Sequence, residues 1–431
     1  MNRLQKELEI FRSCPHNMRV LILTNLIYAL VMPVIEIFIG AYVMRNSSDV
    51  KMVVVYQLAV YTGIPATFLL NGWLLQRVGI ARLYSAGMLL SGVSLTVMMC
   101  LGELSITGLG IAGFLMGTSF GLYWSNRDFL ALSSTHDGNR NYYYGLETFF
   151  STNIGIVVPF LIGAFISAAT RGTWLGGQAN HAYQIVTGVV ILLTIAASVM
   201  VHRGRFENPP RSRFVYFKFH SLWLRMQLLA ILKGLAQGYI VTAPAMLIMR
   251  LVGQEGTIGI IQSAGGVLSA VLLYVVGRVS KPRHRVHIFA AGLLLFALGA
   301  VPNALLFNKT GVLVFMGCLL LARPLQDIAY FTIQMLVIDT VSDIEKRNQF
   351  AYILNQEAGF YIGRFSGCML FILLANQVSD TFALRYALLI VGVLQLLSIP
   401  VARSILSGVK NHADTKGPAE TRVGEEVLEY R

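Results

Sequence analysis

Charged side chains are scarce: Asp, Glu, Lys and Arg make up 13% of the 431 residues, against roughly 25% in an ordinary soluble domain. A mean hydropathy of +0.63 cannot be hidden in one globular core, because a folded chain of this length still turns much of its surface outward. Together these exclude a soluble enzyme. Cysteine is also sparse. Cys14, Cys100, Cys318 and Cys368 stand far apart, three of them inside apolar runs, so there is neither a disulfide framework nor a metal-ligand spacing. The histidines are scattered, and no nucleophile triad or phosphate-cradling glycine loop occurs. Nothing in the sequence calls for a metal, a cofactor or catalysis.

What is abundant is long apolar runs. A bilayer core of ~30 Å needs about 20 apolar residues of helix. Twelve runs meet that need, at 20–44, 52–75, 83–102, 105–130, 144–169, 183–201, 222–249, 256–279, 286–307, 311–337, 350–375 and 381–402. The first is long enough to span and is followed by many of its kind, so it reads as a retained span rather than a signal peptide. The expected class is an all-α integral membrane protein with the lipid bilayer as its solvent.

The formal charge of +13 does not mark a nucleic-acid partner, because the basic residues sit in short gaps between apolar runs rather than on a polar domain. Counted by alternate loops they are lopsided. One side has only Arg45, Lys51, Arg171, Arg250, Lys309 and Arg385, while the other has the N-terminal cluster from Arg3 to Arg19, Arg77, Arg82, Arg140, the stretch Arg203 to Lys218, Arg278 to Arg285, Lys346, Arg347, Arg403 and Lys410. The positive-inside rule then places both termini and the 202–221 loop in the cytoplasm, in a cell (cytoplasmic or inner) membrane. The organisation expected is a six-helix bundle over 1–201, a basic cytoplasmic linker over 202–221, a second six-helix bundle over 222–403 and a polar cytoplasmic tail over 404–431.

The halves match in layout when shifted by about 207 residues, the internal symmetry expected of transporters built from repeats. The clearest pairing sets the loop Asp137-Gly138-Asn139-Arg140-Asn141 against Ile344-Glu345-Lys346-Arg347-Asn348, each preceding a span with a glutamate near its start, Glu147 and Glu357.

Between the second and third spans the chain reads Gly72-Trp73-Leu74-Leu75-Gln76-Arg77-Val78-Gly79-Ile80-Ala81-Arg82. This resembles the cytoplasmic signature of the major facilitator superfamily, Gly-x-x-x-Asp-Arg-x-Gly-x-x-Arg or Lys. Gly72, Arg77, Gly79 and Arg82 fit, and Gln76 departs from the family's acid, keeping hydrogen-bonding capacity without the charge. The resemblance implies two rocking six-helix bundles and a loop that latches them on the cytoplasmic side, weakened here by the missing acid. Read without the family, the two glycines allow close helix approach and a tight turn. The second copy, Gly277-Arg278-Val279-Ser280-Lys281-Pro282-Arg283, keeps only a glycine and basic residues. Gly155, Pro159 and Gly163 in the fifth span partly resemble the Gly-Pro signature of proton-driven exporters, but Val158 stands where those have glycine, and a packing kink explains them as well.

Polar groups at membrane depth are costly and normally face partners or a watery cavity. In the tenth span Arg323, Asp327, Tyr330 and Gln334 share one helical face, and Arg323 and Asp327 are spaced to pair across one turn, as a structural ion pair or as a cavity site. The first span puts Asn25, Tyr28 and Glu36 on one face with Pro33 between them. Glu36 is the leading proton-coupling candidate, its alternative being a carboxylate already near water at the end of the span. The seventh span offers Lys233, which can also snorkel to the interface, and Gln237. The eleventh offers Glu357, Tyr361 and Arg364. Near the inner end of the fourth span lie Trp124, Asn126, Arg127 and Asp128, an interfacial cluster or a site, while Gly113, Gly117 and Gly121 form a smooth packing face.

The expected function is secondary active transport of a small organic solute, the work of a symporter or antiporter driven by protons at Glu36, Asp327 or Glu357. Arg323, Arg364 and Lys233 would draw an anionic or polar cargo, between walls supplied by Tyr28, Tyr330 and Tyr361. An exporter of amphipathic compounds and an importer of an organic anion fit this pattern alike. A nontransporting receptor or scaffold is the competing class, and intramembrane charge argues against it.

Overall fold

A computed structural model of the chain describes residues 3–47, 49–135, 137–172, 178–208, 216–253, 255–279, 284–347 and 349–415. Within these residues the structure is helical, and twelve helices are long and apolar enough to cross a membrane. They are His16–Ser47, Val50–Leu74, Ile80–Cys100, Ile106–Ala131, Tyr142–Arg171, Ala179–Val201, Ser221–Leu251, Glu255–Val276, Arg285–Leu306, Lys309–Glu345, Ala351–Gln377 and Asp380–His412. Each overlaps one expected run. Helix is the required answer, because backbone groups in lipid must be satisfied within the segment. Side chains cap several starts: Asp49 accepts from the Lys51 amide at 2.8 Å, Asn308 from Gly311 at 2.9 Å and Ser379 from Phe382 at 3.1 Å. A further helix, Arg3–Ser13, precedes the first span.

The first six spans pack mainly on one another, as do the last six, giving two six-helix bundles. Glycine sets the closest approaches. A Cβ on Gly117 would lie 2.8 Å from the Gly63 Cα, and one on Gly121 would lie 2.8 Å from the Ile64 carbonyl, so the expected smooth face of the fourth span is pressed against the second. Gly234 and Gly363 bring the seventh and eleventh spans together in the same way, the Cβ of the first falling 3.1 Å from the Cα of the second.

Two spans are broken at equivalent depths. The first runs as helix to Ala29, turns, and resumes through one turn of π-helix, Val34–Phe38, before continuing to Ser47. Pro33, which has no amide to donate, opens that wide turn, and Glu36 sits inside it. The seventh breaks between Ile240 and Ala243, with Pro244 in the first turn of its second segment. Broken helices of this kind free backbone only where it lines a cavity or is buried in protein.

Two local expectations need correction. Asp137–Asn141 is not a loop but the opening of the helix Asp137–Arg171, because only the short segment around Thr135 separates it from the helix before. Its counterpart is a helix end at Glu345, closed by Lys346 in a left-handed conformation with φ of 50°; Asn348 lies outside the described residues. So do 209–215 of the linker, the polar tail from 416, and the side chains of the second motif copy from Gly277 to Arg283.

Candidate functional site: a chamber between the bundles

The two bundles meet at the end away from the termini. Arg45 of the first span donates to both carboxylate oxygens of Glu255, at the start of the eighth, at 2.5 and 2.6 Å. Tyr183 adds a bond to the same carboxylate at 3.4 Å. Beside them the Gly256 amide donates to the Ser167 hydroxyl at 3.0 Å, and a Cβ on Gly163 would come within 3.1 Å of the Gly259 Cα. The Gly-Pro stretch of the fifth span therefore serves close packing between the halves. Deeper in, the Tyr61 hydroxyl donates to the Gln237 carbonyl at 2.9 Å.

Beneath this closure lie two chambers of about 280 and 390 Å³ that share Glu36, Ile37, Trp124 and Gln262 as a common wall. Ligand sites of this size sit at the lower end of the usual range. The first chamber is lined from both bundles: Glu36, Tyr56, Gln57, Tyr61 and Phe120 from one, and Gln237, Arg323 and Arg364 from the other. The second reaches toward the termini between the first, fourth and fifth spans, past Asn25, Arg127 and Glu147.

Most charges around the chambers are already paired. Arg364 bonds to Glu357 at 3.3 Å and to the Gln237 side chain at 3.0 Å, with its guanidinium 5.0 Å from the Tyr61 ring. Glu357 and Arg364 thus share a face as the sequence suggests, and Gln237 joins them from the seventh span. Tyr361 lies with its hydroxyl 3.5 Å from Thr62 of the opposite bundle. Asp327 does not pair with Arg323. It binds Lys233 of the seventh span, whose ammonium also lies 4.4 Å from the Tyr330 ring and 4.9 Å from that of Phe331. A facing helix offers Asp327 a better-aimed cation than its own, and Lys233 is held inside the bundle rather than reaching the interface.

Arg323 instead turns into the chamber, where its side chain and that of Glu36 are exposed to the cavity. Neither makes a hydrogen bond or an ion pair with the described residues, although Arg323 lies within electrostatic reach of Glu36.

Two expected wall residues are elsewhere. Tyr28 is fully buried in the first bundle, its ring 4.4 Å from that of Tyr123. Tyr330 is fully buried in the second, accepting from the Gln356 amide at 2.6 Å. Their walls are supplied by Tyr56, Tyr61, Phe120 and Trp124, which the sequence does not single out as a set. Asn25 belongs to a network in the first bundle, donating to Glu147 at 2.8 Å and to the Tyr143 hydroxyl at 3.0 Å while accepting from Tyr84. Arg127 closes the network on Glu147 at 2.7 Å, so the fourth-span cluster is a bundle component and not merely interfacial.

The signature loop does not latch the halves in this structure. Gln76, Arg77 and Arg82 are exposed and make no hydrogen bond or ion pair with the second bundle among the described residues. Arg77 lies over the Trp73 ring at 4.5 Å. Gly72 and Gly79 have open space around them and Gly79 keeps a negative φ of -64°, so neither makes the close approach expected of it. The loop is fastened by Asn208 from the linker, which accepts from the Ile80 amide at 2.7 Å and donates to the Leu75 and Val78 carbonyls at 2.9 and 3.2 Å.

No protein-family model matches the chain. It is 23% identical over 378 residues to the uncharacterized protein YqgE of Bacillus subtilis (strain 168), a match covering 85% of this chain and 84% of that protein. Among solved structures, a bacterial homologue of the iron transporter ferroportin in its inward-facing state aligns with a TM-score of 0.63 at 17% identity, over 94% of this chain and 99% of that one. A ferroportin homologue in the outward-facing state aligns with 0.57 at 16% identity, over 91% and 100%. A bacterial homologue of the human drug peptide transporters PepT1 and PepT2 aligns with 0.63 at 12% identity, over 92% and 99%. These proteins share an architecture rather than a cargo, and that architecture is the one built above: the chain is a multi-pass membrane protein with the major facilitator fold.

Proposed function

We propose that this protein is a secondary active transporter of a small organic solute, working by alternating access. The observation that carries this reading is the polar chamber at the junction of the two bundles, covered at one end by Arg45 and Glu255. An internal site between two repeats is what rocking bundles expose to each side in turn. With the termini cytoplasmic, as the distribution of basic residues indicates, the covered end is the outer one and the conformation is inward-facing. The higher overlap with the inward-facing than with the outward-facing ferroportin homologue supports that assignment. The idle signature loop fits it too, since a latch on the cytoplasmic side engages only when that side closes.

No nucleotide-binding motif is present in the sequence, so the driving energy is a gradient, and protons are the coupling ion we favour. Of the three carboxylates suggested by the sequence, Asp327 and Glu357 are committed to Lys233 and Arg364. Glu36 is uncommitted and cavity-facing, which makes it the leading proton site.

Purified protein in liposomes with an imposed pH gradient is expected to move solute, with Glu36→Gln weakening the coupling. If Glu36→Gln and Asp327→Asn both leave gradient-driven flux intact, the proton assignment fails. Tracer movement with the gradient in each direction separates import from export.

A further inference from the structure

Charges of both signs line or flank the chambers, and among the described residues nearly all cancel locally. Arg127 is matched by Glu147, Lys233 by Asp327 and Arg364 by Glu357. One charge of each sign remains. Glu36 projects from the wide turn of the first span and Arg323 from the tenth, so the two come from opposite bundles and face the same small cavity. They make no ion pair with each other, and both line the same chamber. A charge held at membrane depth without a close partner is expensive, and the expense is offset when a ligand supplies the partner.

We infer that the chamber takes a small zwitterion, an α-amino acid or betaine type of molecule, with its cationic end at Glu36 and its anionic end at Arg323. The inference rests on the transporter reading and names its cargo class. A simple anion would meet Arg323 but be repelled by Glu36, and a simple cation would meet Glu36 but be repelled by Arg323. A net-neutral cargo carrying both signs satisfies both unpaired groups at once and adds no net charge to a chamber that already balances. The arrangement also bridges the bundles: a molecule held by Glu36 and Arg323 links the two halves, so its binding acts on their relative position.

The test uses full-length purified protein and three matched sets of probes. The first is the proteinogenic α-amino acids with uncharged side chains together with glycine betaine, the second the N-acetyl forms of the amino acids, which keep only the carboxylate, and the third the carboxamides, which keep only the ammonium. Betaine, whose quaternary nitrogen cannot be acetylated, is compared with its carboxamide alone. Thermal stabilisation is read without any gradient. The expected result is that at least one amino acid stabilises the protein while its N-acetyl and amide forms bind roughly tenfold more weakly or worse, the loss of one charge-assisted contact. Glu36→Gln is expected to narrow the gap to the N-acetyl form and Arg323→Gln the gap to the amide. If no zwitterion in the panel binds, or if singly charged forms bind as well as their parents, the inference is overturned. The ligand series on the unaltered protein decides this even where a variant fails to fold. Flux separates the two proposals: gradient-driven movement of a purely anionic or cationic solute leaves the transporter reading standing and removes the zwitterion. Selective zwitterion binding without flux under any gradient does the reverse.

Discussion

Arg45 and Glu255 join the two bundles through a two-pronged ion pair, with the Arg45 side chain 28% exposed and that of Glu255 only 2% exposed. A paired guanidinium and carboxylate in this geometry are held far more firmly than a surface pair. The pair covers the end of the chamber away from the termini, and replacing one partner leaves the other uncompensated in a poorly solvated place.

Glu255→Gln is therefore expected to disfavour closure at this end by about 1–3 kcal/mol, a range below that for a fully buried pair because Arg45 is partly solvated. Spin labels beside Arg45 and Glu255, on the ends of the first and eighth spans away from the termini, would report a population with longer separations. The charge swap Arg45→Glu with Glu255→Arg should restore part of the original distribution. A distance distribution unchanged by Glu255→Gln would show that the pair is incidental to closure.

The Lys233 and Asp327 pair gives a second expectation. Asp327→Asn leaves Lys233 among aromatic rings without its carboxylate and should lower the melting temperature. The double variant Lys233→Met with Asp327→Asn should recover a good part of that loss, because removing both charges of a pair whose ammonium is buried is milder than stranding that ammonium. Additive losses in the double variant would mean that the two groups act independently.

Packing between the second and fourth spans supplies a third. Gly117→Ala places a methyl group 2.8 Å from the Gly63 Cα, backbone that cannot swing aside. A destabilisation of about 1–3 kcal/mol is expected, read as a lower melting temperature in detergent. Gly110→Ala in the same helix meets open space and serves as the control that should change little.

Asn208 gives a fourth. Asn208→Ala removes one acceptor and two donated bonds from the signature loop, each worth about 0.5–1.5 kcal/mol. Amide hydrogens around Ile80 should exchange faster while the melting temperature moves little, since the change is confined to a loop. Unchanged exchange would show that the linker does not hold the loop.

The span pattern was readable because lipid imposes a length and an apolarity that no other solvent does, and each expected run from 20–44 to 381–402 coincides with a helix. The glycine face at Gly113, Gly117 and Gly121 was readable for a related reason, as periodicity within one helix shows which residues share a side. What periodicity withholds is the identity of the facing helix. Arg323 and Asp327 share a face, yet only the position of Lys233 on another span decides that Asp327 turns to it and Arg323 is left for the chamber. Tyr28 and Asn25 share a face with Glu36 on an ideal helix. The break at Pro33 and the wide turn after it shift the phase, leaving Tyr28 in the bundle interior and Glu36 on the chamber wall. Glu255 carried no signal beyond its place at the end of a span, and Asn208 none at all, since each acts through a partner more than a hundred residues away.

The most direct test of the account is side-specific labelling at the chamber wall. In a background with the four native cysteines replaced, Gln57→Cys is treated with a membrane-impermeant thiol reagent from either face of oriented vesicles. The account predicts labelling from the face bearing the termini when Arg45 and Glu255 are intact, and new labelling from the opposite face once Glu255 is replaced by Gln. A position that stays sealed from both faces in every variant and under every gradient would contradict it.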